Sequence, residues 1–360
     1  MGIKKKVFGY LPLEARVWLF ERKLMDRPWP HWYKENYRTL LNEALNTFLS
    51  DEELGNNKLV RKLTFDIIKC WLQYEAMPYE YFLYDMRNSG DIKRATFLTD
   101  VFKDNTCTKL LDKKAFKKEI KDKYSFYQLM ESFFGRKAFL VNSLVNEDAF
   151  VTFSVKTKSL FCKMVTGSRG KDAFAIDVPS AEAAKMLLSQ LTENKEEEWI
   201  VEERIKQCRE MAQWNGSSVN TVRIPSFLTK TGFKVLCPAF RTGRHGSMVD
   251  NAAQGGVVAG IDSKSGLLMT DGVDEKGNVY KNHPDSGFKF KGWQIPRWQE
   301  LLKIAERAHR TIPHQKYIGW DFALTEEGWK LVEGNWGQMI GQYATKQGVK
   351  DLFLKYITEE

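Results

Sequence analysis

Tyr317-Ile-Gly-Trp-Asp-Phe-Ala-Leu-Thr-Glu-Glu-Gly-Trp-Lys-Leu-Val-Glu-Gly-Asn335 reads as strand, turn, strand. Glu326-Glu327-Gly328 suits a three-residue hairpin loop with Gly328 in the left-handed position that closes it. Such a loop sets Thr325 opposite Trp329. Counting outward in steps of two, Ala323 faces Leu331 and Asp321 faces Glu333. Side chains alternate between faces, so Asp321, Glu333 and Asn335 project from one side. Two carboxylates directly opposite each other repel, at high cost where water is excluded. A divalent cation removes the conflict. Two carboxylates and an amide oxygen are hard ligands suited to Mg2+, which also takes phosphate oxygens. A solvated hairpin that carries acids fits the same spacing.

Upstream of the hairpin, Pro296 suits the first turn of a helix whose buried face is Trp298, Leu301, Leu302, Ala305 and Ala308. Short β-like runs precede it: Ala149 to Ser154, Ser159 to Val165, Trp199 to Glu203, Ser218 to Ser226 and Gly232 to Arg241. Arg223 and Arg241 lie in such runs, where a buried guanidinium needs a partner. That partner is a structural ion pair or a bound phosphate or carboxylate. Phe161-Cys162-Lys163-Met164-Val165 leads into Thr166-Gly167-Ser168-Arg169-Gly170-Lys171. A small glycine-rich loop lets backbone N–H groups approach phosphate, and Lys163 supplies a fixed charge if it points inward. The spacing is neither a Walker A loop nor a dinucleotide fingerprint, and an ordinary hairpin turn fits it as well. Asp250-Asn251 followed by Gly255-Gly256 reads as a polar, flexible element.

The front of the chain differs. Leu40, Leu41, Ala44, Leu45, Phe48 and Leu49 recur at helical spacing, as do Leu59, Val60, Leu63, Ile67, Ile68, Trp71 and Leu72. Trp29, Trp32, Tyr33 and Tyr37 make this region aromatic: a helical core, or a face for a membrane surface or glycan. Lys103 to Lys123 is a lysine-rich run that reads as a solvated helix face. The expected organisation is α+β: a helical N-terminal region over 1–100, a first lobe over 101–205 and a second over 206–360.

Composition bounds the rest. Of 360 residues, 43% are hydrophobic and 28% charged, which excludes wholesale disorder. Glycine has no period, which excludes a collagen-like rod. Cys70, Cys107, Cys162, Cys208 and Cys237 are odd in number, far apart and without a CxxC pair, so free thiols in a reducing cytoplasm are expected. Pro12, Glu14 and Arg16 interrupt the apolar run a signal peptide needs, and Lys6 stands where a myristoylation motif wants Ser or Thr. No apolar stretch reaches the roughly 20 residues of a membrane span. The net charge of +9 suits nucleic acid, an anionic surface or a polyanionic small ligand. No nucleic-acid recognition motif accompanies it.

In their order along the chain, these pieces resemble the ATP-grasp superfamily, most closely its sugar-transfer-associated family. The resemblance covers about residues 75 to 345. It rests on Asp112-Lys113, Phe161-Cys162-Lys163 with Gly167-Ser168-Arg169-Gly170, Val201-Glu202-Glu203, and Ser218-Val-Asn-Thr-Val-Arg223. It continues through Asp250-Asn251 with Gly255-Gly256, His283-Pro284 with Gly287, Gly292 and Pro296, and Gly319-Trp320-Asp321 with Glu333-Gly334-Asn335. It implies an ATP-grasp fold, two α+β lobes clasping ATP, behind a helical N-terminal element. Lys113 and Lys163 would contact the nucleotide with Gly167, Ser168, Arg169 and Gly170, and one of Glu202 and Glu203 would meet adenine and ribose. Asp321, Glu333 and Asn335 would hold Mg2+. Arg223 and Arg241 would sit at the transferred phosphate, with Asn220, Arg244, Asp250 and Asn251 toward the acceptor. Two features depart from the family pattern: Met164 follows Lys163 where proline is usual, and Lys114 follows Lys113, so the Asp-Lys pairing is ambiguous.

The implied reaction is carboxylate–amine ligation through an acylphosphate, with ATP and Mg2+. The implied partners are a small or glycan-linked carboxylate and an amine, in surface polysaccharide synthesis, in the cytoplasm or at the inner face of the membrane. An ATP-dependent phosphotransferase on the same fold and a non-catalytic nucleotide-binding member of a glycan-assembly complex are the alternatives. No nucleic acid is expected.

Overall fold

The computed structural model describes residues 10–27, 35–166, 173–244, 246, 255–337 and 339–359. The chain divides into two compact units. The first comprises Met1–Thr106 with the short stretches Lys276–Asn278 and Lys346–Phe353. Its described residues form helices, among them Leu13–Lys23, Tyr37–Phe48, Asn57–Tyr74 and Pro78–Leu83. Polar caps start several of them: Asn36 accepts from the Thr39 amide, and Ser50 with Glu53 makes a reciprocal capping box. Leu63, Ile67 and Ile68 are buried on the longest helix, and Tyr84 stacks on Phe97 with centroids 4.8 Å apart. Arg94, buried among them, is forked by Asp66 at 2.8 and 2.6 Å.

The second unit carries two antiparallel sheets. The small one has the order β1-β4-β2-β3, from Ala138–Val141, Trp199–Glu203, Ser159–Met164 and Phe174–Asp177. The large one runs β10-β9-β8-β7-β5-β11-β12, with β6 (Gly232–Val235) paired to the far half of β5. Its strands are Val279–Tyr280, Gly272–Val273, Val257–Gly260, Ala239–Thr242, Thr221–Thr229, Tyr317–Thr325 and Gly328–Asn335. The helix Trp298–Arg310 packs on β5 and β11, burying Trp298, Leu301, Ala305, Ala308 and His309, with Leu302 half-buried. The α+β architecture is as the sequence indicates. All five cysteines are free thiols. Among the described residues no helix is long and apolar enough to cross a membrane.

Four local expectations change. Ala149 to Ser154, β-like in composition, lies inside the helix Glu147–Thr157. Asn146 caps it by accepting from the Ala149 amide, and Glu147 and Asp148 sit in its first turn, so the helix-start signals outweigh the Phe-Val-Thr-Phe run. The run from Gly232 to Arg241 splits into β6 and β7 because the chain turns at Cys237, whose φ is 54°. The helix after Pro296 starts at Trp298, with Arg297 in the left-handed region ahead of it. Lastly, the hairpin closes on two residues, Glu326 and Glu327, with Thr325 paired to Gly328, and not on three.

Candidate active site

The hairpin's shorter turn moves every pair by one: Ala323 faces Lys330 and Phe322 faces Leu331. A β-bulge then inserts Val332 as an extra residue, and Asp321 returns opposite Glu333. Asp321 is also paired with Arg223 on β5, and Arg223 with Ala239 on β7. Directly opposed residues of antiparallel strands share a face, so Arg223, Asp321 and Glu333 form one row on one side of the large sheet. Arg241 pairs with Thr221, two residues from Arg223, and joins the same face.

Contacts follow from this row. Arg223 forks Asp321, with Nε donating to Oδ1 at 2.5 Å and a terminal nitrogen to Oδ2 at 2.7 Å. Arg241 donates to Oδ2 at 3.0 Å. All three are buried. Burial alone would raise the Asp321 pKa, but the two guanidinium charges outweigh it and hold the carboxyl below its usual range. Glu333, half-buried, makes no hydrogen bond or ion pair with the described residues, yet feels the charges of Lys123 and Arg223. Asn335 Oδ1 is buried, with no hydrogen-bond partner among the described residues. Glycines make the room. A Cβ on Gly337 would collide with Asn335 Oδ1 and lie 2.5 Å from an Arg223 nitrogen, and one on Gly334 would lie 2.6 Å from Phe126.

On the small sheet, Lys163 pairs with Ile200, so it shares a face with Glu202 and not with Glu203. Lys163 Nζ lies 2.6 Å from Glu202 Oε1, and Arg136 Nε donates to Oε2 at 3.0 Å. Alternation therefore settles which glutamate points inward: Glu202 is buried and Glu203 exposed. Burial pushes the Glu202 pKa up, but the charges of Arg136 and Lys163 prevail and hold it low.

Lys123, half-buried, donates to the carbonyls of Met164 at 2.8 Å and Val165 at 3.2 Å. Burial lowers its pKa, and the charges acting on it include Glu333, Lys163 and Glu202. It is the first residue of the helix Lys123–Phe134, capped by Asp122. Lys113 belongs elsewhere: it is exposed on the short helix Lys113–Phe116, capped by Asp112, and no ion pair or hydrogen bond joins it to these charges. The Asp-Lys pair that meets Lys163 and Glu202 is Asp122-Lys123, not Asp112-Lys113. A second Asp-Lys pair opening an amphipathic run that ends at Gly135 was the available signal. Arg136 had none, because its partners Glu202 and Leu331 are remote in sequence.

Asn220 and Arg244, expected toward the acceptor, are both engaged by other groups of the protein. Asn220 is fully buried, its amide nitrogen donating to Gln207 Oε1 and to the Met211 and Asn215 carbonyls, its oxygen accepting from Thr242. Arg244 is spent on the Gly255 carbonyl, the Tyr280 hydroxyl and Asp274 Oδ2. Gly167, Ser168, Arg169, Gly170, Asp250 and Asn251 lie outside the described residues.

The chain is similar to solved structures of ligases and related proteins. D-alanyl-alanine synthetase A from Vibrio cholerae O1 biovar eltor is 10% identical, with 67% of this chain and 65% of that one covered and a TM-score of 0.41. D-alanine–D-alanine ligase from Bacillus anthracis is 12% identical over 66% and 67%, at 0.39. A RimK domain ATP-grasp protein from Sphaerobacter thermophilus is 12% identical over 66% and 71%, at 0.37. The chain thus spans about two thirds of the length of the first two. No curated protein matches it in sequence. Residues 157–358, more than half of the chain, match the sugar-transfer associated ATP-grasp family, and the chain belongs to that family, with its ATP-grasp fold.

Proposed function

We propose that the protein is an ATP-dependent carboxylate–amine ligase. The observation that supports this most is the meeting of two charge sets at Glu333. Lys123 and Lys163 lie beside Glu202 on one side, and Arg223 and Arg241 beside Asp321 on the other. Such chemistry needs neutralisation of phosphate charge more than it needs a protein nucleophile. In this scheme the substrate carboxylate attacks the γ-phosphorus of ATP, the bond to ADP breaks, and an acylphosphate forms. The amine then attacks the acyl carbon, loses a proton and displaces phosphate. Lys123 and Lys163 hold the phosphate oxygens. Arg223 and Arg241 stabilise the transferred phosphoryl group and then the tetrahedral oxyanion.

The donor set fits Mg2+. Among the described residues Asn335 Oδ1 is a buried oxygen with no hydrogen-bond partner and the Glu333 carboxylate has no ion pair, and Asp321 would share its oxygens with the guanidiniums. Held there, the ion would supply charge neutralisation to the phosphates. The substrate class we assign is a sugar acid, or an amino acid to be attached, in surface polysaccharide synthesis. The reaction belongs to the cytoplasm, or to the inner face of the membrane where the acceptor is carrier-linked.

The test is ADP release with Mg2+-ATP against a matrix of sugar acids, amino acids and ammonia, with products identified by mass. An amide that requires both substrates is expected, and Glu333→Ala should abolish it. A stable phosphoester formed without an amine would make the protein a phosphotransferase. Unchanged turnover in Glu333→Ala would remove Glu333 from the metal site.

A further inference from the structure

Arg136 lies in the turn after the helix that begins at Lys123, and it is buried. Its guanidinium uses each edge differently. Nε and one terminal nitrogen donate to Glu202 Oε2, the oxygen that Lys163 does not take. The other terminal nitrogen donates to the Leu331 carbonyl at 2.6 Å and to the Phe134 carbonyl at 3.3 Å. The cation also lies 4.5 Å from the centre of the Phe134 ring. Leu331 is the residue beside the bulge, two positions before Glu333. One side chain therefore touches the end of the Lys123 helix, the inward glutamate of the small sheet, and the hairpin bearing Glu333 and Asn335.

We propose that Arg136 is a positioning residue of the nucleotide site: it fixes the orientation and ionised state of Glu202 and seats the bulged hairpin against it. This rests on the nucleotide-binding reading given above. A fixed fork on Oε2 leaves Oε1 as the face turned to Lys163, and so to whatever Lys163 holds. The charged groups facing Glu202 are Arg136 and Lys163 by ion pair, with Lys123 acting through its field, while the neutral Cys162 thiol next to Lys163 on the strand lies on the other face of the sheet. A phosphate that engages Lys163 weakens its hold on Glu202, and Arg136 then remains as the counter-charge that keeps a buried carboxylate ionised.

The experiment is ATP affinity measured from about pH 6 to about pH 8, as a ratio to wild type, for Arg136→Met and Arg136→Lys, with thermal melting alongside. In Arg136→Met we expect affinity to fall about 10- to 100-fold near neutral pH and to recover as pH rises and Glu202 ionises. Arg136→Lys keeps a charge beside Glu202 but cannot reach both Glu202 and Leu331. It should show a flat ratio across pH and a loss of about threefold or more. A lower melting temperature in Arg136→Met with an affinity ratio near one at every pH would overturn the proposal and leave Arg136 a structural bolt. Should Arg136→Met not fold, wild-type ATP affinity in Arg136→Lys overturns it equally. Wild-type protein that binds no ATP would instead sink the nucleotide reading itself, and this inference with it.

Discussion

Arg223 and Asp321 face each other across β5 and β11, and the guanidinium fork takes both carboxylate oxygens, at 2.5 and 2.7 Å. The pair lies out of water, with Arg241 as a third member. In the proposed site this places two phosphate-binding cations and one metal ligand in mutual contact before any substrate arrives. Removing the carboxylate strands two buried cations. Asp321→Ala should therefore cost about 3–5 kcal/mol of unfolding free energy, read from the denaturant midpoint. Arg223→Lys keeps the charge and loses the fork, so it should keep most of the stability but lose amide formation by about a hundredfold. Equal activity in Arg223→Lys would show that the fork geometry has no part in turnover.

The two Asp-Lys pairs give a contrast within one chain. Lys123 sits with Lys163, Glu202 and Glu333, whereas Lys113 is exposed. Lys123→Met should weaken ATP binding by about tenfold or more, since one phosphate-facing charge is lost in a partly dehydrated site. Lys113→Met should leave affinity within about twofold, as for a surface lysine. The measurement is ATP titration by calorimetry, and a larger effect at Lys113 would reverse the assignment.

What the sequence disclosed follows from how local each feature is. Opposition of Asp321 and Glu333 was legible because alternation along a hairpin is local, although two departures contribute to it. The turn is one residue shorter than expected, and Val332 bulges out to compensate. The fork from Arg223 to Asp321 was not legible, since it depends on β5 and β11 being neighbours in the sheet. Nor did lysine-rich composition separate Lys123 from Lys113, because only burial does so. The helix at Glu147–Thr157 was hidden under β-favouring residues although its Asn146 cap was in view.

Gly337 has no spare volume. A Cβ there meets the Asn335 side-chain oxygen and an Arg223 nitrogen, so both must move. Gly337→Ala should leave the fold intact and lower stability by about 1–3 kcal/mol, the usual range for overpacking. It should raise the Mg2+ concentration needed for half-maximal ADP release by about tenfold, because Asn335 would lose its place. Wild-type metal dependence in Gly337→Ala would separate Asn335 from the metal.

Behind the Asp321 strand, His309 is fully buried between the Ser226 hydroxyl at 2.8 Å and the Gln315 carbonyl at 2.6 Å. Ser226 also accepts from Trp320 Nε1, which leaves its own proton for the histidine. This arrangement suits the neutral ring, with Nε2–H donating to Gln315. Burial, more than the nearby Arg310 charge, pushes its pKa down to about 4 from 6.5. The sign follows from proton binding. Between about pH 6.5 and about pH 4 the unfolded chain binds the proton and the folded chain does not. The stability is fully present above about pH 6.5 and is lost as pH falls toward 4, by on the order of 3 kcal/mol in all. Urea midpoints from about pH 7.5 down to about pH 4.5 should fall in wild type. In His309→Gln the same descent should be shallower by most of that amount, since glutamine takes no proton. Parallel slopes in the two proteins would show that His309 is not the group that charges on unfolding.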